Sequence, residues 1–365
     1  MGDILLRVSS SIKTLIPFRS VCKSWYQVLS DPYFTRNLSL LISNDYSGKT
    51  YLVQVEKDLI SSPTSYSMKD DIDCSSGCPI GSCHGLLCFE RNNSETYIVN
   101  PVLGSDDDLV IMLPSMNTET EVPSLFPVRI FNLMGFGFCP NTNQYKVVRT
   151  IRSTLRVYIY TLGTDDSWRE IEDLPTDRFT SCLPGVYLNG ALHWLTYPRI
   201  ESDDRKLEIY CFDVETEKSH QLDLLPQLLQ GRNNLDGLKL GVLDNCLALY
   251  IKLGGCFSNF DIWVMKDEKC WANIFRISGV APLSVWNRDR VEPLMLTEDG
   301  NSLIAYAEED DERRLLKHFD VRTGKNITNR TLIEKGTITS GRRYTAHVAT
   351  LMSPKHIMKR STCHV

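Results

Sequence analysis

Four cysteines and a histidine between residues 74 and 88 form the part of this 365-residue chain that most resembles a metal site. Zinc prefers thiolate and imidazole ligands, and structural zinc sites usually contain repeated pairs of ligands two to four residues apart. The spacing here is irregular, because the five residues are Cys74, Cys78, Cys83, His84 and Cys88. The last three lie in a strand-like run, where cysteine usually packs as a small apolar side chain. We therefore predict no metal site and no cofactor.

Three histidines are candidates for general acid–base chemistry, namely His84, His193 and His220. A general base acts on a nucleophile or a substrate, and the sequence contains neither the G-x-S-x-G nucleophile signature nor a P-loop. His193 lies between Leu192 and Trp194 in a strand-like run, which is typical of a buried structural residue. These observations predict no catalytic residues.

The charge balance excludes one class of partner. The chain has 40 basic and 45 acidic residues and a net charge of -5, whereas a nucleic-acid binder driven by counterion release needs a basic stripe. No apolar run approaches the ~20 residues of a membrane-spanning helix. Most of the 12 cysteines lie in apolar runs, where cysteine is usually a reduced, buried side chain and not part of a disulfide. We expect no nucleic acid, no membrane, and a cytoplasmic or nuclear location or both.

An apolar stripe with helical spacing dominates the N-terminal region. Between residues 18 and 29 the apolar residues recur at steps of three and four, which predicts one apolar helical face. The residues of this stripe are Phe18, Val21, Cys22, Trp25, Val28 and Leu29. Asp31-Pro32 ends the helix, because proline disfavours α geometry in the residue before it. Residues 3–16 continue the helical pattern. Such a helix packs against this chain's own core or against a partner.

From residue 83 onward the pattern is that of short strands separated by tight turns. Asn-Gly and Asp-Gly between apolar runs predict hairpins, because these residues accept positive φ. Turn markers recur about every 50 residues, and a period of that length with about four strands per unit is typical of kelch-type propellers. The five markers are Gly85, Asn143, Gly190, Asn245 and Gly300. Poorly marked units leave the blade number open. Residues 57–82, rich in serine, aspartate and proline, are predicted to form a loop.

The order of the motifs resembles that of plant F-box proteins. FRSVCKSW followed by LSDPYF is similar to the second half of an F-box, a helical module that docks on a Skp-type adaptor of a cullin-based ubiquitin ligase. The blocks downstream resemble the F-box-associated interaction domain, including its S-locus and kelch-like kinds. They include GSCHGLLCF, GFGFCPNTNQYKVVR, SWREI, GVYLNGALHWLTY, IYCFDVETE, LGVLDNCLALY and DIWVMKDEKCW.

The resemblance implies a mainly β fold with an N-terminal α region, in which a short F-box precedes a kelch-like β-propeller. The implied domains are an F-box at residues 1–42, a linker with a first strand at 43–82, the β-domain at 83–354 and a flexible tail at 355–365. The implied function is that of a non-catalytic, substrate-recognition subunit of an SCF-type E3 ubiquitin ligase. Its partners are a Skp-type adaptor with its cullin complex and an unknown target protein. The implied adaptor-binding residues are Ile4, Leu5, Leu15, Ile16, Phe18, Val21, Cys22 and Trp25.

The F-box departs from the family pattern at its start. Ser9-Ser10-Ser11 stands where a Pro-containing turn is expected, Pro17 replaces a common basic residue, and the first helix begins almost at Met1. We therefore expect a truncated F-box. Two alternatives follow: a scaffold or competitor that has lost cullin recruitment, and a propeller enzyme with a site in its central channel. We also expect the strand candidate at residues 344–354 to pair near residues 51–56 and close the domain.

Overall fold

The fold is taken from a computed structural model. The residues that it describes are 17–18, 21–30, 39–44, 50–55, 65–67, 78–91, 95–101, 103, 110–116, 133–150, 156–174, 184–196, 208–222, 224, 238–253, 258–267, 270–280, 291–297, 300–309, 313–333, 344–348, 350, 353–354 and 357.

The described residues are mainly in strands, which confirms that the fold is mainly β, whereas the predicted helical F-box module stays a prediction. They form helix α1 (Lys23–Ser30) and the following strands: β1 (Ser39–Asn44), β2 (Thr50–Val55), β3 (Ser65–Ser67), β4 (Cys78–Cys83), β5 (Leu86–Arg91), β6 (Glu95–Val99), β7 (Val110–Met112), β8 (Met134–Cys139), β9 (Gln144–Thr150), β10 (Val157–Thr161), β11 (Arg169–Ile171), β12 (Val186–Leu188), β13 (Ala191–Thr196), β14 (Glu208–Asp213), β15 (Lys218–Leu222), β16 (Leu238–Leu243), β17 (Cys246–Leu253), β18 (Ser258–Asp267), β19 (Cys270–Val280), β20 (Val291–Leu296), β21 (Ser302–Glu309), β22 (Arg313–Asp320), β23 (Asn326–Ile333) and β24 (Tyr344–Val348).

The strands form six four-stranded antiparallel sheets within the described part of the chain. Each sheet except the first is a meander of four consecutive strands, which is the blade of a β-propeller. We number them sheet I (β24-β1-β2-β3), sheet II (β4–β7), sheet III (β8–β11), sheet IV (β12–β15), sheet V (β16–β19) and sheet VI (β20–β23). The chain divides into two compact units, of which one holds sheets I–III and the other sheets IV–VI.

The predicted hairpin turns are present where the sequence places residues that accept positive φ. Asn189 and Gly190 have φ of 47° and 86°, and they join β12 to β13. Asp244 and Asn245, with φ of 51° and 57°, join β16 to β17. Such turns match the right-handed twist of the strands, so they set the register of each hairpin. His84 has a φ of 44° and precedes Gly85 in the turn between β4 and β5.

Sheet I combines the two ends of the described chain. β24 pairs with β1, from Ser39 opposite Val348 to Ser43 opposite Tyr344, and β1 pairs with β2. The C-terminal strand therefore lies in the expected sheet, but its direct partner is β1, a strand that the sequence analysis did not predict. Residues 39–42, which the predicted boundaries assign to the helical module, form the start of β1.

Sheet I also explains why the periodicity shows only five units. Its first strand comes from residues 344–348 and the others from residues 39–67, so it has no turn marker in the regular series. The loop predicted at residues 57–82 was too long, because it contains β3 and most of β4. Serine and proline lower the strand propensity of these segments, but pairing with β2 and β5 overrides that preference.

The second compact unit has apolar contacts between its sheets. In the second unit, Leu195 and Ile209 of sheet IV share a buried cluster with Leu240 and Trp271 of sheet V. A second cluster joins sheets V and VI. Trp271 is 4% exposed and Trp263 packs against the first cluster, so these two large side chains help to fill the space between sheets IV and V.

Candidate functional site

The N-terminal apolar stripe is the candidate site, and the structure describes its second half. The backbone N–H of Val21 donates to the carbonyl oxygen of Phe18 at 3.3 Å, forming a turn that leads into α1. The aromatic rings of Phe18 and Trp25 meet edge to face, with their centroids 5.5 Å apart. This is a favoured geometry for an aromatic pair, because the ring edge is positive and the ring face negative. The pair holds the turn against the helix.

The stripe changes from exposed to buried along its length. Val21 is 59% exposed and Cys22 is exposed, whereas Trp25 and Val28 are half-buried and Leu29 is fully buried. The end of the helix is therefore anchored by Leu29, and its start presents apolar side chains to solvent. An exposed apolar surface beside a half-buried aromatic pair is suited to docking in an apolar groove of another protein.

The predicted adaptor-binding residues divide into two sets. The structure describes four of them, and it places these together on the turn and the start of α1: Phe18, Val21, Cys22 and Trp25. The other four lie outside the described residues: Ile4, Leu5, Leu15 and Ile16. Their role in adaptor binding stays a prediction.

A buried ion pair joins sheets II and III, and the sequence analysis did not find it. A guanidinium nitrogen of Arg149 lies 2.7 Å from a carboxylate oxygen of Glu90, and their side chains are 4% and 7% exposed. Arg149 also donates to the hydroxyl of Thr96 at 2.9 Å. Burial lowers the pKa of the Arg149 guanidinium, and the carboxylate of Glu90 opposes that shift. The available signal was a charged residue at the end of each of the strand-like runs LLCFE and YKVVR.

Trp168 completes this junction. Its indole N–H donates to the carbonyl oxygen of Pro114, just after β7, at 2.8 Å. The guanidinium of Arg149 lies 5.9 Å from the centroid of the Trp168 ring, within the range of a cation–π contact. These contacts compensate the buried charges of Arg149 and Glu90 inside the first compact unit, so we assign the cluster a structural role.

The candidate histidines do not form an acid–base site. His193 is buried, and burial lowers its pKa to about 4, although the hydrogen bond between Nδ1 and the carbonyl oxygen of Val186 opposes the shift. Burial also lowers the pKa of His84, whose ring packs on Phe138 with centroids 4.4 Å apart. His220 is exposed on β15. A general base works best with a pKa near the operating pH, which His193 does not have.

Ser82 and His347 are in contact in the way that a serine nucleophile and its general base would be. The hydroxyl oxygen of Ser82 lies 2.8 Å from Nδ1 of His347. However, complete burial lowers the pKa of His347 to about 3, so the imidazole accepts a proton poorly at neutral pH. The contact joins β4 to β24. It is better explained as a link that holds the C-terminal strand in place.

Two cysteines of the irregular cluster between residues 74 and 88 pack in the protein interior, as expected for small apolar side chains. Cys83 and Cys88 are buried, and burial raises the pKa of the Cys88 thiol. Within the described ranges, no group of three or more metal-ligating side chains comes together. The structure likewise contains no helix, in the part of the chain that it describes, long and apolar enough to cross a membrane.

Comparison with known proteins adds four findings. The family model of the F-box associated beta propeller domain matches residues 37–335. An F-box protein of Arabidopsis thaliana is 24% identical over 89% of this chain and 85% of its own length. An F-box/kelch-repeat protein of the same plant is 25% identical over 82% of each chain. Among solved structures, AofleA from Arthrobotrys oligospora matches 87% of this chain and 92% of its own chain at 11% identity, with a TM-score of 0.42 that is too low to bear on function.

Proposed function

This chain belongs to the family of proteins with an F-box associated beta propeller domain, and from that premise we propose that it is the substrate-recognition subunit of an SCF-type ubiquitin ligase. Its N-terminal helical segment binds a Skp-type adaptor, and its β-domain binds a target protein. The protein acts in the cytoplasm, the nucleus or both.

The single observation that carries the proposal is the exposed start of the apolar stripe. Val21 and Cys22 face solvent, while Leu29 anchors the other end of the same helix within the protein. A helix buried entirely in its own chain would have no apolar face left for a partner. The relatives support the same assignment, since they are F-box proteins that align with most of this chain.

The proposed mechanism is proximity and involves no bond-making group of this chain. A target held on the β-domain is kept at high effective concentration near the ubiquitin-charged enzyme that the cullin complex recruits. Loops at one end of the sheets hold the target, because loops change sequence without disturbing the strands.

Adaptor capture by purified full-length protein tests the proposal. We expect Val21→Asp to abolish capture of a Skp-type adaptor, because the substitution places a charge in the apolar contact. Met112→Asp is the matched control, since Met112 on β7 is 57% exposed and Val21 59% exposed. Its capture should equal that of the wild type.

Two results would contradict the proposal. Equal capture by the Val21→Asp variant and the wild type would show that the stripe is not the docking surface. A folded wild-type protein that captures no adaptor would favour the alternative of a scaffold or competitor without cullin recruitment. Far-ultraviolet circular dichroism of each variant establishes that the strands are intact.

A further inference from the structure

Sheets IV and VI contain the same turn between their third and fourth strands. Residues 212–220 read FDVETEKSH and residues 319–327 read FDVRTGKNI. In the first turn, Oδ1 of Asp213 accepts hydrogen bonds from the backbone N–H and the hydroxyl of Thr216 at 2.6 and 2.9 Å. In the second, Oδ1 of Asp320 accepts the same two bonds from Thr323 at 2.7 and 2.8 Å. The aspartate and threonine therefore build one scaffold twice.

The backbone bonds of the two turns are also the same. The N–H of Glu217 donates to the carbonyl oxygen of Asp213 at 2.9 Å, and that of Gly324 donates to Asp320 at 2.8 Å. Both residues have positive φ, of 56° and 65°. Because the scaffolds match, any difference in what they present to solvent comes from the residues that the scaffold does not use.

Those residues have opposite character in the two turns. The exposed position after the shared valine is Glu215 in sheet IV and Arg322 in sheet VI. Two residues after the shared lysine, sheet IV has the exposed polar residue His220, whereas sheet VI has Ile327, which is 52% exposed. Sheet VI thus presents a large apolar side chain next to two exposed cations, Arg322 and Lys325, in a chain of net charge -5.

The position of the second turn keeps this surface together. A Cβ atom on Gly324 would lie 2.1 Å from the carbonyl oxygen of Arg276, so the turn rests directly on β19. The N–H of Asp320 donates to the carbonyl oxygen of Lys325 at 2.9 Å, which extends the hairpin to that residue. Lys325 and Ile327 are both exposed at the start of β23, where the pairing of β23 with β22 shifts register at a β-bulge.

The acidic groups nearby are already used within the protein. Oδ1 of Asp320 accepts the two hydrogen bonds of its own turn. Asp261 on β18 is 3% exposed and holds Arg276 through two contacts of 2.6 and 2.8 Å. Hydrogen bonds from Thr323, and to a smaller extent the charge of Arg322, lower the pKa of the Asp320 carboxyl. Arg322, Lys325 and Ile327 are all exposed to solvent, where groups of a partner can reach them.

From these observations we infer that Arg322, Lys325 and Ile327 form a docking surface, the turn-VI patch, for a protein segment in which carboxylates flank an apolar side chain. The carboxylates pair with the cations, and the apolar side chain covers Ile327. This inference rests on the proposed function, in which the β-domain binds a target protein, and it specifies the chemistry of that target.

Peptide binding to the full-length protein tests the turn-VI patch. The probe is a fluorescein-labelled peptide with two glutamates on each side of a leucine, measured by fluorescence anisotropy. Two comparison peptides replace the glutamates by glutamine or the leucine by glycine. We expect saturable binding of the first peptide, weaker binding of both others, and weaker binding at higher salt, because exposed charges are screened.

Charge reversal at the two equivalent turns gives the matched comparison. We expect the double substitution Arg322→Glu with Lys325→Glu to weaken peptide binding roughly tenfold or more, since two attractive pairs become repulsive. Glu215→Arg, at the equivalent position of sheet IV, should leave binding unchanged. Equal binding by the double variant and the wild type would overturn the inference, as would no saturable binding by the wild type up to roughly 1 mM peptide.

Adaptor capture measured on the same variants separates the two proposals. Loss of peptide binding by the double variant with retained capture supports the turn-VI patch. Failed peptide binding by the wild type with normal adaptor capture overturns the patch alone. Failed adaptor capture with normal peptide binding overturns only the proposed ligase role.

Discussion

Replacing Glu90 by glutamine removes the negative charge of the buried ion pair while keeping the size of the side chain. The guanidinium of Arg149, 4% exposed, then has no counter-charge at the 2.7 Å contact. Breaking a buried pair in this way costs roughly 3–5 kcal/mol, because a buried charge loses its compensation. For a domain of this size, that corresponds to a fall in Tm of the order of 5–12 °C.

Thermal unfolding followed by circular dichroism measures this shift, and two further variants test its cause. Glu90→Leu combined with Arg149→Met removes both charges, so most of the lost stability should return. Glu170→Gln is the control, because Glu170 pairs with Arg156 at 2.9 Å but their side chains are 39% and 58% exposed. Its Tm should equal that of the wild type.

A fall in Tm below about 2 °C for Glu90→Gln would refute the reasoning, since it would mean that the site relaxes or admits water at little cost. An equal fall for the single and double variants would refute it in another way. In that case the loss would come from packing between sheets II and III, and the unpaired charge would not be the cause.

Three other predictions concern the turns, the C-terminal strand and pH. Glu217→Gly should raise the free energy of unfolding in urea by ~0.5–1 kcal/mol, because glycine adopts the φ of 56° at this position without strain. Gly324→Ala should lower the free energy of unfolding, because the added Cβ atom would collide with the carbonyl oxygen of Arg276. Asn100→Ala should lower the free energy of unfolding by about 1–3 kcal/mol, because the side-chain amide of Asn100 donates a buried hydrogen bond of 2.8 Å to the carbonyl oxygen of Thr350. An unchanged midpoint of urea unfolding would argue against this link. Below pH 6.5 the unfolded chain protonates His193 and the folded protein does not until about pH 4, so His193 by itself should lower the free energy of unfolding by about 1.4 kcal/mol for each pH unit in that window, in addition to the contribution of buried His347. His193→Gln should make this slope less steep, and an unchanged slope would exclude His193 as its source.

Features that depend on a few neighbouring residues could be predicted from the amino-acid sequence. Asn189-Gly190 and Asp244-Asn245 predicted hairpins correctly, because positive φ is a local preference of those residues. The order of the motifs likewise identified the family that the comparison later matched over residues 37–335. Short strand-like runs between turn markers that recur about every 50 residues were enough to indicate a mainly β chain with repeated units.

The tertiary structure alone decided the contacts between residues distant in sequence. Glu90 and Arg149 are 59 positions apart, and they meet only because sheets II and III pack face to face within one compact unit. The pairing of β24 with β1, across about 300 residues, likewise has no local signature. Two FDV turns look alike in sequence, but their equivalence and the exposure of Ile327 follow from hydrogen bonds and packing. Local preferences act over a few residues, whereas these contacts depend on how whole sheets are placed.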